Sequence, residues 1–399
     1  MWQMFGVDQL LTTNQNALAG QRIGLVTNNA ATTSPQYGMK PSRWALQQAG
    51  FNLTALFSPE HGLGAGAADG AEVGHGTDQL TGLPINSLYG ATFRPTPEML
   101  ADIDLLLFDI PDVGARFYTY IWTLSHVMEA CAETGTPLWV LDRPNPLGGL
   151  IAMAEGPMLD EQNISTFVGR WSMPVRHSLT AGELAVLWNQ ERNLDVDLNV
   201  IKSAGWSRRQ HWPDTRLPFV PASPAMPSYD AVLVYPGTCF FEGTNVSEGR
   251  GTANPFQQIG APWVDGNGLA DAFNAWALAG VYARAVEFIP AASKYAGQVC
   301  QGVMLHVYDA SIYHPVAAGL HLLLSVMRNH PAEFGWLPYP TAANGPGFGH
   351  FDRLVGQLSV REELVKQIDL TPAQNRLQIQ QWTQSAGWSE RTESILLYD

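Results

Sequence analysis

Cysteine is scarce in this sequence: there are three in 399 residues, Cys131, Cys239 and Cys300, and no Cys-x-x-Cys pair. A sparse, odd count excludes a disulfide scaffold and a structural zinc site, and it fits a reducing compartment. Charge is thin too, at 15% of residues, and leans acidic, with 22 Lys and Arg against 36 Asp and Glu. A nucleic-acid binder carries a basic stripe, and none is visible, so neither nucleic acid nor an anionic membrane surface is an expected partner. No apolar run approaches the ~18 residues of a membrane span, so no membrane insertion is expected. The N-terminal residues lack the basic stretch and long apolar run of a signal peptide. The sequence as it stands therefore reads as cytoplasmic, or as exported if a leader precedes it. The P-loop, HExxH and GxSxG motifs are all missing. Gly62-Leu-Gly64-Ala-Gly66 follows the second strand-like segment rather than the first, so it is not a dinucleotide fingerprint. The ten histidines show no metal-ligand spacing. No cofactor and no metal are expected.

What is present is a large apolar fraction, 46%, in a chain long enough for two or three domains. The first half alternates strand-like and helix-like segments. Ile23 to Thr27, Leu53 to Phe57, Ile103 to Phe108 and Leu138 to Leu141 read as strands. Pro41 to Gly50 reads as a helix, as does the run Phe117, Ile121, Leu124, Met128, Cys131 at spacings of four and three. This order predicts an α/β fold with an open, mostly parallel sheet and helices on both faces. Thr180-Ala-Gly-Glu183 before an apolar run reads as a capping box, so Glu183 is assigned to a helix cap. Five prolines between Pro213 and Pro227 rule out helix or central strand there. They place a boundary between a domain of residues 1–227 and a smaller α/β domain of 228–399. The second domain is expected to hold a strand at Ala231–Tyr235, a glycine-rich polar loop, a helix near 267–279, a strand at Val303–Tyr308 and helices at Val316–Arg328 and Pro372–Thr383.

Several first-domain strands run into polar residues: Thr27-Asn28-Asn29, Ser58-Pro-Glu60-His61, Asp109-Ile-Pro-Asp112 through Arg116, and Asp142-Arg143-Pro-Asn145. In open α/β sheets ligands bind outside the carboxyl ends of the strands, so these groups are expected along one edge. The segment Phe240 to Thr252 adds Glu242, Asn245, Glu248 and Arg250 in one glycine-rich loop. Carboxylates, arginines and aromatics suit glycoside hydrolysis, which needs an acid to protonate the leaving oxygen and often a second carboxylate as nucleophile or base.

Long ordered motifs carry a resemblance. Leu25-Val-Thr-Asn28, Phe57-Ser-Pro-Glu-His-Gly62, Asp109 through Tyr120, Leu141-Asp-Arg-Pro-Asn-Pro-Leu-Gly-Gly149, Glu155-Gly-Pro157, Pro174-Val-Arg-His177 and Tyr235 through Thr252 resemble the peptidoglycan exo-β-N-acetylmuramidases, glycoside hydrolase family 171. The resemblance implies a Rossmann-like catalytic domain, an auxiliary C-terminal domain completing a cleft, and release of N-acetylmuramic acid (MurNAc) from the non-reducing end of peptidoglycan fragments. It makes Glu60 the favoured catalytic residue. One departure stands out: family members usually carry an arginine shortly after the Ser-Pro-Glu-His-Gly motif, where this chain has Leu63-Gly64-Ala65-Gly66.

Glu60 is the expected general acid, with His61 orienting it or touching substrate. Glu242 and Glu248 are candidates for the second carboxylate; Glu248 is alternatively a partner of Arg250 or Arg116. Asp109 and Asp112 either bind substrate or organise their loop. MurNAc bears a lactyl carboxylate, which an arginine fork recognises at two points. Arg116, Arg143, Arg176 and Arg250 are the candidate forks, each alternatively half of a structural ion pair. Asn28, Tyr118, Asp142, Asn145, His177 and Asn245 complete the expected substrate-binding set. The expected partners are MurNAc-containing saccharides. The competing readings are a non-catalytic sugar-binding protein on the same scaffold, and a transferase or hydrolase acting on another sugar derivative.

Overall fold

The computed structural model describes residues 3–13, 18–68, 70–339, 341 and 349–399. Its strands are β1 (Ile23–Thr27), β2 (Leu53–Ser58), β3 (Gly76–Thr77), β4 (Pro84–Ser87), β5 (Leu105–Asp109), β6 (Leu138–Leu141), β7 (Leu198–Ile201), β8 (Gln258–Ala261), β9 (Val281–Phe288) and β10 (Cys300–Val307). The first seven form one sheet in the order β3-β4-β2-β1-β5-β6-β7. All its pairings are parallel except β3 with β4. The last three form a separate antiparallel sheet, β8-β10-β9. The α/β reading therefore holds.

Every residue of β1 and β5 is buried, which explains their almost unbroken apolar character. Alternate side chains serve opposite faces. Ile23, Leu25, Leu56, Leu105 and Leu107 meet Phe5, Val7 and Leu46 on one side. Val26, Phe57, Leu106, Phe108 and Val140 meet Trp122, Leu124 and Trp188 on the other. That second core does not stop at the sheet. It continues through Leu233, Phe240, Leu323 and Phe351 into the C-terminal half.

One element departs from the sequence reading. Ala231–Tyr235, expected as a strand, lies in a helix, Tyr229–Thr238. A short apolar run bears the same signature as a buried strand or a buried helix. Here Ser228 caps the helix by accepting the Ala231 N–H, and every residue from Ala231 to Thr238 is buried. The helix crosses the helix Pro315–Asn329 at Gly237 and Gly319. A Cβ on Gly237 would lie 1.9 Å from the Pro315 carbonyl oxygen, and one on Gly319 would lie 2.3 Å from that of Gly237. The following segment, expected as a polar loop, is a buried 3-10 turn, Cys239–Gly243.

Candidate active site

β2 ends at Ser58, and the chain turns sharply through His61 and Gly62 at φ +66° and +74°. A positive φ is unusual for a non-glycine residue, and the turn points Glu60 inward, leaving it 6% exposed. One Glu60 oxygen accepts the Gly70 N–H at 3.0 Å, and the other accepts the Thr119 hydroxyl at 2.6 Å. Gly70 has φ +67°, and an added Cβ would lie 2.7 Å from Thr341, so the donor position admits only glycine without strain. Thr119 immediately precedes the 15-residue helix Tyr120–Thr134, whose N-terminus favours negative charge. These two contacts fix the orientation of the Glu60 carboxyl. His61 holds its Nδ1 at 2.9 Å from the Ala67 carbonyl oxygen.

The turn Cys239–Gly243 delivers Glu242. One of its oxygens accepts from Arg250 at 2.5 Å, and the other lies 3.0 Å from His350 Nε2. Burial alone would push this carboxyl up, but the Arg250 charge and the His350 contact outweigh it and hold it well below the usual carboxylate range. Arg250 also lies over the Phe256 ring at 5.0 Å.

Glu60, His61, Tyr118, Glu242, Arg250 and His350 line one cavity. Its aromatic walls include Tyr89, Phe117, Tyr235 and Tyr339. Five of these six groups were singled out from the sequence. Thr119 and His350 were not. Thr119 sits inside a quoted motif but looks like a helix-start residue. His350 follows Gly349 with no local pattern, and only tertiary packing brings it to Glu242.

The other expected residues lie elsewhere. Glu248 is buried outside the cavity lining, accepting from Lys294 at 2.8 Å with Arg250 Nε at 3.3 Å. Asp109 and Arg143 bond each other. Arg116 is sealed in the core, donating to the carbonyls of Pro157, Met173 and Leu354. Arg176 donates to Tyr313 and Leu147 carbonyls. Neither is placed to grip a substrate carboxylate. Asp142 accepts from Thr180, Gly182 and Tyr398. Asn28 bonds the Ala30 N–H, Asn145 the Leu147 N–H and the Leu179 carbonyl, and Asn245 the Gly335 N–H and the Glu333 carbonyl. His177 accepts the Leu179 N–H on Nδ1, so its Nε2 donates to Asp112 at 3.1 Å. The sheet-edge polar groups thus organise the loops, and the cavity opens beside them, past β2 and the start of the helix Tyr120–Thr134.

A family model described as exo-beta-N-acetylmuramidase NamZ, N-terminal, matches residues 23–230, and its C-terminal counterpart matches residues 233–398. The chain belongs to the exo-β-N-acetylmuramidase family. Among curated relatives, peptidoglycan beta-N-acetylmuramidase NamZ of Bacillus subtilis (strain 168) is 45% identical over 360 residues, covering 90% of this chain and 83% of that protein. Two crystal structures of DUF1343 family proteins from Bacteroides fragilis NCTC 9343 share the fold. Their TM-scores are 0.84 at 32% identity and 0.73 at 28%, each covering 100% of this chain and 99% of the other. Within this exo-β-N-acetylmuramidase, Glu60 and Thr119 belong to the N-terminal family region, and Glu242, Arg250 and His350 to the C-terminal one. Both regions build the cavity.

Proposed function

We propose that this protein is an exo-acting glycoside hydrolase that releases MurNAc from the non-reducing end of peptidoglycan fragments. The observation that carries this reading is the pairing of Glu60 with the Glu242–Arg250 ion pair in one aromatic-walled cavity. Aromatic faces supply apolar contact for sugar rings, and the carboxylates supply the charge that an oxocarbenium-like transition state needs. Of the four candidate forks for the lactyl carboxylate, Arg250 is the one that borders this cavity. The two family regions act as one catalytic unit, dividing near residue 228.

The test is incubation of the protein with a MurNAc–GlcNAc disaccharide without added cofactor, with products read by mass spectrometry. Free MurNAc is the expected product, and long glycans should lose only terminal units. Turnover of glucosaminides together with inert muramides would overturn the assignment.

A further inference from the structure

We propose that the outer face of the small antiparallel sheet is a second glycan-binding surface, which holds an acidic, N-acetylated sugar strand outside the catalytic cavity. The identity of the strand rests on the muramidase reading; the surface itself does not. Side chains of a strand alternate between faces. In β9 and β10, Val281, Ala283, Val303 and Leu305 join the core. The alternate set, Tyr282, Arg284, Met304 and His306, lies on the opposite face, with Tyr282 across from His306 and Arg284 across from Met304. Tyr308 directly follows β10 and continues this set. Tyr282 and Tyr308 are 61% and 62% exposed, the highest values of any large apolar side chain among the described residues. Their rings lie 5.6 Å apart with planes at 32°, nearer to a shared platform than to an edge-on pair. The Tyr308 hydroxyl accepts the Gly280 N–H at 3.2 Å, which holds its ring in place. Bare ring faces are poorly hydrated, and tyrosine joins an apolar face to a polar rim. The C–H face of a sugar ring, edged with hydroxyls, complements both.

Arg284 adds charge to the strip. Its Nε donates to His306 Nε2 at 3.3 Å, and its Nη2 meets Met304 Sδ at 3.8 Å. The chain as a whole carries a net charge of −14, so a cation among exposed aromatics is a local exception. It suits the carboxylate of MurNAc, which a guanidinium recognises well. A small cavity adjoins the strip. Met304 and His306 line it, together with Gln257 and with Asp230, Leu233 and Val234 of the helix Tyr229–Thr238. Gln257 is only 6% exposed, yet among the described residues its side-chain amide has no hydrogen-bond partner. A buried amide is normally paired. An acetamido group offers the matching N–H and C=O, and Asp230 accepts a further proton from an amide or hydroxyl.

None of these residues borders the cavity that holds Glu60 and Glu242. An exo-acting enzyme must find one chain end at a time. A second grip on the same material makes that search intramolecular and raises the effective concentration of ends.

The experiment compares wild type, the double variant Tyr282→Ala/Tyr308→Ala, and Arg284→Gln on the MurNAc–GlcNAc disaccharide and on long peptidoglycan glycan strands. The disaccharide needs only the catalytic cavity, so its kcat and KM should match wild type in both variants. On long strands the KM of the double variant should rise about tenfold or more, the effect of removing tyrosine anchors, with kcat unchanged. Arg284→Gln should weaken co-sedimentation with insoluble peptidoglycan but not with chitin, which has the acetamido group and lacks the carboxylate. Measuring both substrates on one preparation cancels any loss of folded protein. An unchanged KM on strands, matching losses on both substrates, or an Arg284→Gln variant that binds peptidoglycan as wild type does would overturn the proposal. So would a double variant that binds peptidoglycan normally but sediments as a smaller species, because the face would then join two copies of the chain. Wild-type protein that binds peptidoglycan through this face but leaves the disaccharide intact would instead overturn the muramidase reading.

Discussion

Thr119 ties Glu60 to the helix behind it. Its hydroxyl lies closer to Glu60 than the Gly70 N–H does, and it stands at the N-terminus of the helix Tyr120–Thr134. Thr119→Val keeps the shape and removes the bond. A hydrogen bond to a charged group contributes about 1.5–3 kcal/mol, so kcat/KM for the disaccharide should drop roughly tenfold to a hundredfold, with KM nearly unchanged. An unaltered kcat/KM would show that the Thr119 hydroxyl does not position Glu60. Arg250 works differently, because it stands between two buried carboxylates, Glu242 and Glu248. Arg250→Met fills the volume but removes the guanidinium from both Glu242 and Glu248. Removing one partner of a buried ion pair costs about 3–5 kcal/mol. Denaturant unfolding should reveal a loss of that order, and a variant as stable as wild type would show that Lys294 on Glu248 and His350 on Glu242 balance the site without it.

Among the elements, the parallel strands of the first half were readable because both faces are covered, which leaves an apolar run bounded by turns. The capping box was readable for a local reason: Thr180 accepts the Glu183 N–H, and the Glu183 side chain reaches back to the Thr180 N–H. Glu183 also pairs with Arg208 and accepts the Leu397 N–H, contacts that no local pattern reveals. The helix Tyr229–Thr238 was misread because its burial on all sides comes from partners distant in sequence, above all the helix Pro315–Asn329. Their crossing depends on two glycines. Gly237→Ala would push a methyl into the Pro315 carbonyl, and overpacking of this kind costs about 1–3 kcal/mol or more. The melting temperature should fall, and activity should fall with it, because Tyr235 on this helix lines the cavity. Unchanged melting would mean that the helices can separate at no cost.

Over the whole molecule, Glu60 was legible from the strand that carries it, and Glu242 with Arg250 from their motif. His350 was not, since its meaning lies in a contact spanning 108 positions of the chain. The arginines misled for the converse reason: Arg116 and Arg176 have the chemistry of a carboxylate fork, but their guanidiniums are spent on backbone carbonyls. Long-range packing also sets the pH response of the fold. Glu155 is buried and accepts the Val316 and Ala317 N–H groups. Burial pushes its carboxyl from 4.5 up to about 7, against the lowering pull of Arg176 and those two donors. Between these values the folded state keeps a proton that the unfolded chain has released. Stability therefore falls as pH rises through this window, by at most about 1.4 kcal/mol per pH unit. Glu155→Gln should lose this slope relative to wild type, as read by denaturant midpoints from pH 5 to pH 7. Parallel curves for the two proteins would show that Glu155 does not carry it.

The apolar core that passes uninterrupted from the large sheet into the C-terminal helices has a mechanical consequence. Two bodies that shared only a wet interface could swing apart to admit a sugar and clamp down on it. Here a swing that exposed roughly 400 Å² of apolar surface would cost on the order of 10 kcal/mol, more than binding one sugar returns. The enzyme should therefore behave as a rigid vessel, with a mouth that yields only by side-chain rotation. Small-angle scattering with and without saturating MurNAc should give superimposable curves, and a radius of gyration that shrinks on binding would show a hinge that the shared core forbids.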